Sequence, residues 1–331
     1  MKKLISLICV LAMVLALAAC GSSAPAAATE APAEDVSADK TFVVGICQLV
    51  QHPALDAATQ GFKDALTEAL GDKVTFQEQN ASGDSATCSL ICNQFVSDEV
   101  DLIMANATAS IQAAASATNT IPILGTSITD YGVALGVDNW TGVSGTNISG
   151  TSDLAPLDGQ AAMIQELFPD AKTIGLLYCS GEPNSIFQAD SMEALLTDMG
   201  YSVERYTFAD SNDVSSVTAN ACSNADVLYI PTDNTAASCT EAINNVALSA
   251  GIPIVAGEEG IASGCGAATL SISYYDLGRA TGEMAAEILT EGADISTMEV
   301  RFAPAFTKEY NADICEALNI TVPDDYVAIA K

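Results

Sequence analysis

Beyond residue 40 the chain alternates short apolar runs with longer segments of helical periodicity. Residues 41–48, T-F-V-V-G-I-C-Q, form a continuous apolar run of strand length. Residues 55–70 then place Ala58, Phe62, Ala65, Leu66 and Ala69 on one helical face. The same reading predicts strands near 74–78, 101–105 and 121–125, with helices near 85–96 and 110–117 between them. The rhythm then restarts: strands at 172–178, 202–207, 226–230 and 252–256 enclose helices at 185–199, 214–222 and 235–250. Continuous apolar strands spaced by long helices imply parallel sheets covered on both faces. Two such series in succession predict two doubly wound α/β lobes in preference to one long sheet. In folds of this kind ligands gather outside the carboxyl ends of the strands. A cleft between two such rims is the expected site.

The first forty residues read differently. Lys2 and Lys3 precede an apolar run over 4–19 that closes with Leu17, Ala18, Ala19 and Cys20. A short basic region, an apolar stretch and small residues mark a secretory signal over residues 1–19, too short to span a membrane. The cysteine directly after the small pair resembles the bacterial lipobox, which implies a lipidated Cys20 and a protein tethered to the outer face of the cell membrane. Residues 20–40 are almost wholly Gly, Ser, Ala, Pro, Thr, Glu and Asp. Such a stretch lacks the apolar bulk to offset the entropy of ordering, and as a flexible coil it spans about 25 Å.

Composition narrows the function. About 290 residues remain after the linker, more than one core usually serves, which again favours two domains. The whole chain has 331 residues, is 49% hydrophobic and 16% charged, and carries a formal charge of −31. That charge repels nucleic acid and anionic lipid head groups, so no nucleic-acid role is expected. Ten cysteines are present, of which Cys9 lies in the signal and Cys20 at the lipidation position. The other eight are spread through apolar segments such as V-G-I-C-Q and L-L-Y-C-S, where a small hydrophobe belongs. With no C-x-x-C and a single histidine, a metal site is not expected, and free buried thiols are.

The candidate chemistry lies in the polar loops after the strands. No G-x-G-x-x-G, G-x-x-x-x-G-K-[ST] or G-x-S-x-G occurs, so neither nucleotide-binding nor esterase signatures are present. The first loop, Q-L-V-Q-H-P-A-L-D, offers Gln48, His52, Pro53, Leu55 and Asp56. His52 is better placed to bind or position a ligand than to catalyse, because no acid–base set accompanies it. N-A-T-A-S opens a helix directly after a strand, where unpaired N–H groups together with Thr108 and Ser110 suit a carboxylate, or simple capping by either hydroxyl. T-S-I-T-D adds Thr126, Thr129 and Asp130, and C-S-G-E-P-N-S adds Ser180, Asn184 and Ser185. P-T-D-N supplies Asp233 and Asn234, and of the pair in G-E-E-G Glu259 is the expected contact. Acids facing hydroxyls and a helix start suit a zwitterion.

These loops, with I-P-I-L-G, Y-I-P-T-D-N-T-A-A-S, S-Y-Y-D-L-G-R-A-T-G-E-M-A-A-E-I-L and A-L-N-I-T-V-P-D-D-Y, resemble the periplasmic-type solute-binding lipoproteins of ABC importers. The likeness is to the tryptophan/tyrosine group and runs from about residue 41 to 326. It implies a type I periplasmic-binding-protein fold with three crossovers and a hinge cleft. The lobes would comprise residues 41–150 plus 274–292 and residues 151–273 plus 293–331. It further implies a monomeric receptor without catalysis or cofactor, whose partners are an ABC permease and its ATPase. The solute would be an amino acid, aromatic by preference. Sugars or nucleosides, or a signalling lipoprotein without transport, are the alternatives. Two positions depart from the group's pattern: Ala109 replaces a usual proline, and Cys179 a frequent asparagine.

Overall fold

The predicted alternation is realised in the computed structural model, which describes residues 40–330; the signal, Cys20 and the linker before residue 40 lie outside it. The first series runs β1 (Phe42–Gln48), α1 (Pro53–Leu70), β2 (Val74–Asn80), α2 (Ser85–Ser97), β3 (Leu102–Asn106), α3 (Thr108–Ala117), β4 (Ile123–Ile128), α4 (Tyr131–Leu135) and β5 (Ile148–Ser152). The second begins at α5 (Leu157–Leu167) and continues through β6 (Thr173–Cys179), α6 (Pro183–Asp198), β7 (Ser202–Phe208), α7 (Val214–Cys222) and β8 (Val227–Ile230). It is completed by α8 (Asn234–Ser238), α9 (Thr240–Ala250), β9 (Ile254–Ala256), α10 (Glu259–Cys265) and β10 (Ala268–Ser271). The chain ends with α11 (Tyr274–Glu291), β11 (Arg301–Phe302), β12 (Thr307–Tyr310), α12 (Ala312–Ala317) and β13 (Val327–Ala328).

Two sheets result. The first has the order β11-β5-β4-β3-β1-β2, the second β13-β12-β10-β9-β8-β6-β7. Pairing is parallel except between β10 and β12. Strands such as β3 are buried at every residue, which is why they read as unbroken apolar runs. In each sheet the strand order reverses beside its first strand, between β1 and β3 and between β6 and β8. The loops after β1 and β8 therefore leave the two sheets at switch points.

Three connections pass between the sheets, from β5 to α5, from β10 to α11 and from β11 to β12. The middle one returns α11 to the first lobe, where it packs on α1. A Cβ at Gly61 would stand 2.0 Å from the Tyr275 carbonyl oxygen, and one at Gly278 2.0 Å from that of Ala58, so glycine on both helices permits this close approach.

Three details differ from the expected pattern. Arg301–Phe302, expected in the second lobe, pairs with Thr151 and Ser152 in the first sheet. The helix expected over 235–250 is two helices, because Cys239 leaves helical geometry at φ −122°. Strand β5 was not expected at all: its I-S-G-T-S sequence has no apolar run, yet every residue is buried. Its hydroxyls replace apolar contacts with hydrogen bonds, Ser149 donating to the Met298 carbonyl and Ser152 to that of Thr129, while Thr151 meets Thr281 at 2.8 Å.

The eight described cysteines are all free. Cys222 and Cys239 are half-buried and the other six buried. Among the described residues no helix is long and apolar enough to cross a membrane, and no cluster of His, Cys, Asp and Glu could hold a metal ion.

Candidate functional site

The carboxyl ends of both sheets face each other across a narrow cavity of about 10 Å³, room for a single water, so the two lobes stand close together here. His52, Leu55, Ser127 and Thr129 line it from the first lobe; Asn184, Thr232, Asp233, Asn234, Ala237 and Glu258 line it from the second. Asp153, on the first connection, and Tyr274, where the second connection enters α11, complete it. The lobes touch directly here. His52 Nε2 lies 3.3 Å from Asn234 Oδ1, joining the two switch-point loops, and the Thr129 and Thr232 hydroxyls are 3.3 Å apart.

The second-lobe wall is held by carboxylates that have used their capacity. Asp233 caps α8 by accepting from the Ala236 N–H, and also accepts from the Cys179 N–H and the Ser185 hydroxyl. Burial, with the Glu182 charge adding to it, pushes the Asp233 carboxyl up to about 8. Glu258 caps α10 through the Gly260 and Ile261 N–H groups, and burial raises it to about 7. Glu182 accepts from the Asn234 and Thr235 N–H groups, the Asn234 and Asn184 amides and the Thr235 hydroxyl.

The opposite wall and the connections hold polar atoms without partners. Among the described residues, His52 Nδ1, Ser127 Oγ and Asp153 Oδ1 are buried and make no hydrogen bond. The other Asp153 oxygen accepts from the Tyr274 hydroxyl at 2.9 Å, tying two connections together, and burial raises its carboxyl above the usual range. Burial lowers the pKa of His52, keeping it neutral. Ser127 has φ 56°, and the pairing of β4 with β5 shifts register between Gly125 and Ile128. Such an irregularity re-aims side chains, and here the Thr126 hydroxyl accepts from Thr151 in the core while Ser127 lines the cavity. Ala107, just before α3, holds φ 85° and ψ 162°, a conformation nearly confined to glycine.

The predicted residues thus divide. His52, Leu55, Thr129, Asn184, Asp233 and Asn234 come together at the cavity. Ser185 stands behind it, holding Asp233. Gln48 and Asp56 bond to each other and, with Thr59, border a separate polar crevice on the first lobe. Ser110 does not cap α3; its hydroxyl lies 3.6 Å from both the Cys47 and Cys88 sulfurs, inside the core. Thr108 is the first residue of α3 and is buried, and the position before it is Ala107, so no side chain caps that helix. Asp130 caps α4 through the Val133 N–H. Ser180 is exposed and donates to the Phe208 carbonyl. Pro53 and Glu259 border a second crevice of about 390 Å³ with Glu309, whose carboxyl burial and the Glu259 charge raise to about 7. Of the two acids in G-E-E-G it is Glu258 that reaches the interlobe cavity. Sequence reasoning missed Asp153 and Tyr274 because both follow strands that it had not recognised.

Family comparison completes the picture. The family model of ABC transporter substrate-binding proteins matches residues 43–331. The chain belongs to that family. It is 38% identical over 280 residues to a tyrosine-binding protein of Clostridioides difficile, covering 84% of this chain and 81% of that one. Among solved structures, an ABC domain from Streptococcus pneumonia in complex with L-Trp is similar at a TM-score of 0.82 and 31% identity, over 86% of this chain and 97% of that one. A ligand-free, open substrate-binding protein with adhesive properties from Clostridium difficile matches at 0.68 and 37%, over 88% and 100% of the two chains. The binding protein described here therefore superposes better on the L-Trp complex than on the open structure, despite the lower identity. Its two parallel-sheet lobes are those of the type I periplasmic binding proteins.

Proposed function

We propose that this substrate-binding protein takes up an aromatic amino acid, as its zwitterion, between the lobes, which part to widen the cavity of about 10 Å³ and then close on the solute. The observation that carries this reading is Asp153 Oδ1, a buried carboxylate oxygen that makes no hydrogen bond among the described residues, although the Thr129 hydroxyl also acts on that carboxyl. An ammonium group would meet it, and would restore to Asp153 the charge that burial disfavours. The Ser127, Thr129 and Thr232 hydroxyls stand at the same cavity and would take the carboxylate. Leu55 and Ala237 supply apolar wall. The tyrosine and tryptophan ligands named for two of its relatives support the same class.

Asp153 sits on the first connection between the lobes and Tyr274 at the end of the second, so a ligand held there contacts the hinge. Solute binding would favour the closed arrangement by touching both walls, and the closed form would be the one offered to a permease. We place the protein outside the cytoplasm as a monomer on a lipidated Cys20, delivering to an ABC permease and its ATPase. The first lobe in this reading is residues 41–150 with 274–292 and the β11 strand. Cys20→Ala should move the protein from the membrane fraction to the medium.

A thermal-shift panel tests the ligand class. Solute at about 100 times its dissociation constant stabilises the folded state by roughly 2.7 kcal/mol. Tyrosine, tryptophan or phenylalanine should raise Tm. No response to any of the three, beside a clear one to a nucleoside or sugar, would replace the assignment.

A further inference from the structure

Of the three unpartnered atoms at the cavity, two answer to the ammonium and carboxylate of an amino acid, and His52 Nδ1 remains. Its chemical character follows from its neighbours. Glu182 offers only acceptor oxygens, and one lies 2.7 Å from Asn234 Nδ2. The Asn234 amide is thereby oriented with its NH₂ toward Glu182 and its carbonyl oxygen toward His52 Nε2, 3.3 Å away. Reversing the amide would set a carbonyl against a carboxylate. Because Asn234 Oδ1 can only accept, Nε2 carries the ring proton. Burial lowers the His52 pKa against the raising pull of the Asn234 bond and the Glu182 and Asp56 charges, and with the ring neutral Nδ1 keeps a bare lone pair.

We propose that His52 Nδ1 accepts a hydrogen bond from the side chain of the bound amino acid, an indole N–H or a phenol O–H, and so selects tryptophan and tyrosine over phenylalanine. Glu182 and Asn234 are positioning residues that fix the acceptor tautomer. This rests on the amino-acid reading above and narrows it. Phenylalanine has no side-chain donor and would leave the buried nitrogen unpaired, a loss of about ten- to a hundredfold in affinity.

The chain contains one histidine, so ¹⁵N-histidine NMR of the whole folded protein reports this ring alone. The Nε2–H tautomer is expected without ligand. Tyrosine or tryptophan should shift the Nδ1 resonance as it accepts a bond, and phenylalanine should not. In His52→Phe the preference for tyrosine over phenylalanine should fall to near unity with phenylalanine still bound. Glu182→Gln, which frees the Asn234 amide to turn, should mix the tautomers and lower the same preference. An Nδ1–H tautomer, equal affinity of the native protein for all three amino acids, or an equal loss for all three in His52→Phe would overturn the proposal while leaving the amino-acid reading intact. Failure of all three to bind would remove the amino-acid reading first.

Discussion

On the second-lobe side of the cavity, Asp233 accepts three hydrogen bonds, Glu182 five and Glu258 two, all from that lobe's own loops and helix starts. On the side made by the first lobe and the connections, His52, Ser127 and Asp153 each keep a buried polar atom without a partner. Both walls are polar and both are buried. They differ in how much hydrogen-bonding capacity remains unused. Burying a polar atom without a partner costs about 1–3 kcal/mol, so three at one cavity are a destabilisation that a ligand can relieve. A carboxylate that has satisfied itself shapes a wall, whereas one with a spare oxygen recognises something.

Asp153 and Asp233 give that contrast its strongest test. Replacing Asp153 by Asn should weaken amino-acid binding by about 2–5 kcal/mol, roughly thirty- to a thousandfold or more, because the ligand's ammonium loses its charged partner. The stability of the ligand-free protein should change little, since the Tyr274 hydroxyl still finds an oxygen. Calorimetric titration showing native affinity in this variant would remove the ammonium site.

Asp233→Ala should act on folding. It strands the Ala236 and Cys179 N–H groups and the Ser185 hydroxyl, at a cost of about 2–4 kcal/mol. Urea unfolding without solute reads this loss directly. Native stability combined with lost binding would mean that the second wall, too, recognises the ligand.

The same wall carboxylates also bear on pH. The folded-state values of Glu258, about 7, and Asp233, about 8, stand above their ordinary 4.5 and 3.8, so the folded chain holds protons that the unfolded chain has released. Their contribution is fully present below the ordinary values and is lost as pH rises through the folded ones. The ligand-free Tm should therefore fall between about pH 5 and pH 8. Glu258→Gln should flatten part of that slope. A Tm that instead rises across this window would show these wall carboxylates to be ionised and stabilising.

How far the sequence exposed this site depended on the strands. The loop after β1 and the loop after β8 were legible because each follows an apolar run, and they brought His52 and Asn234 forward as candidates. Asp153 was hidden because β5 is built of Ser, Gly and Thr; recognised as a strand, it would have marked Asp153 as a strand-end acid. Gln48, Thr126 and Ser110 are expected at the site from their places at strand ends and a helix start, but strand pleating, the β4 irregularity and the inward face of α3 turn them into local networks.

By itself the sequence determined the alternation of strands and helices, the two parallel sheets and the loops from which the site is built. Burial on both faces of a strand and on one face of a helix leaves that mark in the order of residues. The tertiary structure alone decided which polar atoms remain unpaired. Asp153 meets Tyr274 across 121 positions and His52 meets Asn234 across 182, and no local pattern records whether a donor will arrive from so far away.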